Sequence, residues 1–263
     1  PDLCLVSNIS FDHIQFLGNT LAKIAGEKAG IIKENTPIII GETTPETKPV
    51  FIERAQSVHA PILFAEEEHL LQSSSVNETG ERIYQTTDFA ELKGELGGLC
   101  QLKNTNTLLS SIRQLKKIGY HLTEENVREG FAHVSKLTGL MGRWQKLEEH
   151  PALVCDTGHN VGGISYIVEQ LKHQKYDRLH IVMGMVNDKD ISGVLSMMPK
   201  DAIYYFTRAD VKRALPENEL QALAQQVGLQ GQSYPNVKAA VEAAKQHSSA
   251  VSYTHLTLPT TSR

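Results

Sequence analysis

Cysteine is scarce in this sequence: Cys4, Cys100 and Cys155 are the only three in 263 residues. Their number is odd, they lie far apart, and none has the spacing of a metal-binding pair, so neither a disulfide framework nor a cysteine metal site is indicated. A reduced, cytoplasmic compartment is the expectation. A surplus of charge is missing too. The formal net charge is −4 with no basic block, which argues against nucleic acid as a partner and against attachment to an anionic membrane surface. No apolar run approaches the ~18–20 residues a membrane span needs, and no secretory signal opens the chain.

What is present is an ordinary globular composition, 40% hydrophobic and 21% charged, and length for two domains at ~100–200 residues each. Short β-type runs at 3–9, 37–42, 61–66, 81–87, 152–157, 179–185 and 202–207 alternate with helical periodicity at 18–32, 45–58, 104–118, 123–134, 161–174, 190–198, 217–228 and 236–246. Apolar strands alternating with amphipathic helices predict an α/β fold with parallel sheets. The stretch LTGLMGRW (137–144) is the expected boundary, giving domains 1–141 and 142–250. Residues 67–100 are polar and carry little signal. Both ends read as cut, and 251–263, Thr/Ser/Leu-rich without periodicity, is expected to be a non-native tail outside the fold.

Six segments could carry chemistry. In NTLAKIAGEKAGIIK (19–33), Leu21, Ile24, Ala25 and Lys28 share one stripe at helical spacing. A lysine on an apolar stripe either snorkels to water or gives up its proton, and a neutral amine can capture carbon dioxide as a carbamate able to bind a divalent metal. Asp12 and His13 follow the first strand, where α/β sheets place ligands; they read as a metal site or as a helix cap with a surface histidine. VCDTGHNVGG (154–163) reads as strand, turn and helix. Asp156 there could accept from ribose hydroxyls, His159 could reach phosphate oxygens, and helix amides would face an anion; alternatively it is a tight loop capped by Asn160. Arg143 would close on a nucleotide phosphate or pair with a carboxylate. Gln101 and Asn104 offer amides to an adenine edge or cap a helix. In GMVNDKD (184–190), Asp190 is a helix cap, and Lys189 either contacts an anionic substrate or belongs to a solvated charge cluster.

Taken together, SNISFDHIQFLGNTLAKIAGEKAGIIK, LMGRWQ, DTGHN and GMVNDKD, in this order, resemble the folylpolyglutamate synthase/dihydrofolate synthase family of the Mur ligase superfamily, over about residues 1–247. The resemblance implies the latter part of a P-loop ATPase domain followed by a Rossmann-like C-terminal domain. It implies an ATP- and Mg²⁺-dependent ligase, acting as a monomer, that activates a carboxylate of dihydropteroate or a folate as an acyl phosphate and joins it to L-glutamate.

By the same resemblance His13 matches a magnesium-binding histidine and Lys28 a carbamylated lysine that helps hold a second magnesium, both in catalytic roles. Asn104 matches an adenine-contacting asparagine, Arg143 a phosphate-contacting arginine, and Asp156 and His159 the ribose- and phosphate-side residues of a DxAHNP motif. Here Gly158 stands for the usual Ala and Val161 for the usual Pro. The phosphate-binding loop and a metal-binding glutamate of the family have no counterpart, so the fragment alone is expected to be inactive. The rival readings are a peptidoglycan-precursor Mur ligase and a non-catalytic nucleotide- or folate-binding protein.

Overall fold

The computed structural model describes residues 1–11, 20–77, 81–187 and 189–248, and the backbone of 252–257. The chain divides into two compact units, Pro1–Leu140 and Met141–Arg263. Among the described residues no helix is long and apolar enough to cross a membrane.

The first unit contains a parallel sheet of β1 (Cys4–Val6), β2 (Ile38–Ile40) and β3 (Ile62–Phe64), in that order. Ile38, Ile39 and Ile40 are all fully buried, because a parallel strand is covered on both faces and has no polar side to present. Helix α1 (Leu21–Ala29) follows β1 and α2 (Lys48–Ser57) follows β2. Thr20 caps α1, its hydroxyl accepting from the Lys23 N–H at 3.2 Å. Ala25, Ala29 and Ile32 pack with Cys4, Val6, Ile38, Ile40 and Phe51.

Lys28 is not part of that packing. It is exposed, and Leu21, one line up the helix, is only half-buried. The expectation that Lys28 lies enclosed on the buried stripe is therefore corrected. Burial on α1 stops at Ile24, Ala25 and Ala29, and β1, beside which the helix packs, is an edge strand among the described residues. At the margin of an apolar stripe a lysine lays its aliphatic stem along the apolar surface and extends its tip to water.

After α3 (Ala65–Glu68), the stretch with little sequence signal forms an antiparallel sheet of β4 (Leu71–Val76), β5 (Arg82–Thr86) and β6 (Leu92–Gly94). Its inward positions Arg82, Tyr84 and Thr86 mix polar with apolar side chains, which is why hydropathy alone did not mark it. Helix α4 (Gln101–Lys117) lies against it with a largely polar buried face, including Gln101, Thr105, Ser110 and Gln114. Ser110 Oγ donates to the Glu68 carboxylate, Ser111 Oγ donates to the Thr107 carbonyl at 2.8 Å, and half-buried Asn106 accepts through Oδ1 from the N–H groups of Leu70 at 3.0 Å and Leu71 at 3.1 Å. Helices α5 (Glu124–Ala132), opened by a Thr123–Asn126 capping box, and α6 (Val134–Thr138) close the unit.

The second unit is a six-stranded sheet in the order β11-β10-β9-β12-β8-β7. Its strands are β7 (Gln145–Glu149), β8 (Ala152–Asp156), β9 (Arg178–Met183), β10 (Ile203–Phe206), β11 (Gln230–Ser233) and β12 (Ser252–Thr257). Only the β7–β8 pair is antiparallel. Helices α7 (Val161–Lys172), α8 (Ile191–Met197) and α9 (Glu217–Gln226) pack over Ile181, Met183, Tyr204 and Phe206, while α10 (Val237–His247) covers Val182 and Tyr205. Residues 252–257, part of the stretch expected to be a tail, form a strand. This backbone pairs in parallel with both β8 and β9, with Thr254 opposite Leu153 and His180. A six-residue stretch rich in Thr and Tyr suits an extended strand, and the facing sides of β8 and β9 would otherwise leave their N–H and C=O groups unpaired.

Candidate active site

The second unit brings together three of the expected site residues at the carboxyl end of β8, where open parallel sheets place their ligands. Asp156 ends the strand, and its carboxylate is committed to the backbone. Oδ1 accepts from the Gly158 N–H at 2.7 Å and Oδ2 from the Trp144 N–H at 2.7 Å. One oxygen shapes the turn into α7; the other ties that turn to the 141–144 loop. Burial pushes the Asp156 carboxyl above the ordinary aspartate value of 3.8, and the hydrogen bonds from Gly158 and Trp144 and the nearby Arg143 guanidinium oppose the shift. Burial also pushes the neighbouring Cys155 thiol up, with the Asp156 charge adding to it.

Arg143 is seated by the residue after Asp156. Its Nη1 donates to Thr157 Oγ1 and to the Gly142 carbonyl at 3.3 Å, and the Thr157 N–H donates to that same carbonyl at 3.0 Å. Gly142 has φ +68°, and a Cβ there would fall 2.6 Å from Thr157 Cγ2, so glycine lets the two loops meet. Thr157 was not among the residues singled out from sequence. Its only signal is a hydroxyl between the strand-ending aspartate and the turn glycine.

His159 Nδ1 donates to the Thr157 carbonyl at 3.0 Å, a bond that assigns the proton to Nδ1 in the neutral ring. Nε2 then donates only from the imidazolium form. Asn160 is the N-cap of α7, its Oδ1 accepting from the Gly163 N–H at 2.7 Å. The capping reading of Asn160 thus holds alongside the ligand reading of its neighbours. Asp190 caps α8 in the same way, accepting from the Gly193 N–H at 2.8 Å; Lys189 is half-buried just before it.

In the first unit Asn104 lies in the opening turn of α4 and is half-buried. Its Nδ2 donates to Gln101 Oε1 at 3.1 Å. Gln101 itself lies in the wall of an apolar cavity of about 350 Å³, with Tyr84, Leu108, Ile112, Val127 and Phe131. Asp12 and His13 lie outside the described residues. Among the described residues no three His, Cys, Asp or Glu side chains cluster closely enough to hold a metal ion.

Residues 142–254 match the family described as Mur ligase, glutamate ligase domain. The chain is 28% identical over 220 residues to the dihydrofolate synthase/folylpolyglutamate synthase of Bacillus subtilis, covering 81% of this chain and 50% of that protein. It is 31% identical over 203 residues to the protein of the same name from Escherichia coli, covering 75% of this chain and 44% of that one. Among solved structures, an Escherichia coli FolC structure in complex with DHPP and ADP superposes with a TM-score of 0.79 at 25% identity, over 97% of this chain and 58% of that one. A Mycobacterium tuberculosis folylpolyglutamate synthase complexed with ADP and AMPPCP has the same fold, with a TM-score of 0.84 at 24% identity over 97% of this chain and 61% of that one. This chain spans about half the length of the curated relatives it matches. With the motifs in order along its length and the fold shared over 97% of its residues, the chain is similar throughout to the folylpolyglutamate synthase/dihydrofolate synthase relatives, and its second unit matches the glutamate ligase domain of the Mur ligases.

Proposed function

We propose that this chain is the nucleotide-closing and glutamate-ligating part of an ATP-dependent ligase that adds L-glutamate to dihydropteroate, to folates, or to both. The reading rests on one arrangement above all. Asp156, Arg143 and His159 converge at the start of a twelve-residue helix within the stretch that matches the glutamate ligase domain. Related structures hold ADP, AMPPCP, or AMPPNP with manganese, which supports ATP and Mg²⁺ as the cofactors here.

The residues divide the work by their chemistry. Each Asp156 oxygen already takes one backbone N–H and keeps lone-pair capacity for a ribose hydroxyl. Arg143, anchored through Nη1, keeps guanidinium N–H groups for phosphate oxygens. The first amides of α7 and the positive end of its dipole favour the same anion, and His159 lies in the same turn. In the reaction the γ-phosphoryl group of ATP passes to the substrate carboxylate. The glutamate amine then attacks the acyl phosphate, an amide forms, and ADP and phosphate leave.

Magnesium, when bound, would neutralise charge on the transferring phosphoryl group. The described residues do not form a ligand set for it; His13 and a carbamate on Lys28 are the proposed ligands on the strength of the family resemblance. The relatives cited are named as folate enzymes, which weighs against a muropeptide substrate.

Glutamate-dependent ADP release in the presence of dihydropteroate tests the reading. The protein extended to the length of its relatives should turn over, and Arg143→Ala should raise its KM for ATP; the 263-residue chain alone should not turn over. Turnover by the chain alone, or none by the extended protein with any folate substrate, would refute this assignment.

A further inference from the structure

The first turn of α4 holds two carboxamides in contact. Asn104 Nδ2 donates to Gln101 Oε1 at 3.1 Å, and Gln101 Nε2 lies 3.6 Å from Cys100 Sγ. Gln101 is 8% exposed and walled in by the apolar cavity, whereas Asn104 is half-buried. The contact therefore joins a confined amide to a more accessible one.

The two ends of a carboxamide are chemically distinct, one donating and the other accepting. With one Nδ2 hydrogen given to Gln101, Asn104 retains its acceptor Oδ1 and a second Nδ2 hydrogen. Among the described residues Oδ1 accepts no hydrogen bond. One acceptor beside one donor matches the N6 amino group of adenine and the ring nitrogen next to it, the pairing by which asparagine reads that base. A 6-oxo purine presents an acceptor where adenine presents a donor. To meet it, Asn104 would have to turn its amide over, which sets Oδ1 against Gln101 Oε1 unless Gln101 turns too and gives up the contact of its Nε2 with Cys100 Sγ.

We propose that Gln101 is a positioning residue that selects adenine over 6-oxo purines by holding the Asn104 amide in one orientation. The inference rests on the reading that Asn104 contacts the base, and the experiment separates the two. ADP and inosine diphosphate, which differ at the 6-position, are titrated to millimolar concentration into the full chain and its variants, with circular dichroism confirming helix content. The unaltered chain should prefer ADP by about tenfold or more. Gln101→Met should cut that ratio about tenfold, chiefly by improving inosine diphosphate binding, because the amide is released. Gln101→Glu, whose oxygens accept from Asn104 as the native amide oxygen does, should keep the preference. A purely structural role for Gln101 would lower both affinities together and leave the ratio alone. An unchanged ratio in Gln101→Met while Asn104→Ala erases the preference overturns the proposal and spares the reading; so does loss of the preference in a folded Gln101→Glu. If Asn104→Ala changes neither affinity nor ratio, or the unaltered chain binds no ADP, the reading of Asn104 fails and the proposal fails with it.

Discussion

The Trp144 N–H donates to Asp156 Oδ2 at 2.7 Å, which fixes the residue after Arg143 to the last residue of β8. Trp144 has φ +53°, an uncommon conformation for a bulky residue and one that this bond helps to hold. Asp156 is thus both a ligand candidate and the clasp between the loop that carries Arg143 and the turn that carries His159.

Replacing that clasp gives the first prediction. In Asp156→Asn the amide oxygen still accepts one backbone N–H, but the Nδ2 group cannot accept the other, which should destabilise the unit by about 1–3 kcal/mol in urea titration. The effect depends on pH. The folded carboxyl titrates above 3.8, so the native state holds its proton more tightly than the unfolded chain does. The stabilisation from this group is greatest below 3.8 and declines as pH rises through the folded value. The stability deficit of Asp156→Asn should therefore be larger at pH 3.5 than at pH 7.

Gly158 tests how closely the turn packs on α7. A Cβ there would fall 2.5 Å from Ile167 Cδ1, the tip of a flexible side chain, and 3.3 Å from Asp156 Oδ1. Displacing the Ile167 terminus off its rotamer costs about 0.5–1.5 kcal/mol, so Gly158→Ala should lose stability within that range and keep nucleotide binding. Adding Ile167→Val should recover part of the loss, giving a measurable coupling in a double-mutant cycle.

On the α10 side of the sheet, His180 Nδ1 lies 2.9 Å from the Tyr205 hydroxyl, which lies 3.0 Å from His247 Nδ1. Burial lowers the His180 pKa, with the Arg178 and His247 charges adding to it, and burial pushes Tyr205 up to about 12. The native state resists a proton that the unfolded chain accepts near 6.5. Stability present above 6.5 is therefore lost as pH falls through that value. Thermal unfolding between pH 7.5 and 5.5 should show this slope, and His180→Phe should flatten it.

Because Lys28 is exposed, Lys28→Ala should change stability by no more than about 0.5 kcal/mol, the usual range for surface positions. In the protein extended to the length of its relatives, the same substitution should abolish turnover, with partial rescue by small carboxylates such as acetate. Retained turnover would remove Lys28 from the mechanism.

How much of this was legible beforehand follows from how burial writes itself into sequence. Ile38–Ile40 and the β9 strand are buried on both faces, so their apolar runs announce parallel strands. The turn at Asp156 was visible because a strand, a glycine and a capping Asn160 follow one another. The β4–β6 sheet was not, because inward positions beside Tyr84 are held by polar Arg82 and Thr86, whose Nη2 and Oγ1 donate to the Gly97 and Phe89 carbonyls. Helical spacing placed Lys28 on the apolar stripe of α1, but the buried arc runs through Ile24, Ala25 and Ala29 and leaves position 28 at its margin. Thr157 escaped notice since its role is a hydroxyl aimed at Arg143, a relationship that only the meeting of two loops creates.

The position of β12 has a bearing on how the second unit assembles. It follows β7 through β11 in sequence, yet it lies between β8 and β9 in the sheet. The flanking strands therefore have no direct hydrogen bonds to each other across that gap until Ser252–Thr257 slides between them. Completion of the sheet depends on a closure that spans nearly the whole unit, and loop-closure entropy makes such distant pairing slow. Until then the long inner margins of β8 and β9 stay open to solvent and to other chains, which makes those six residues the guard against misassembly as well as a part of the architecture.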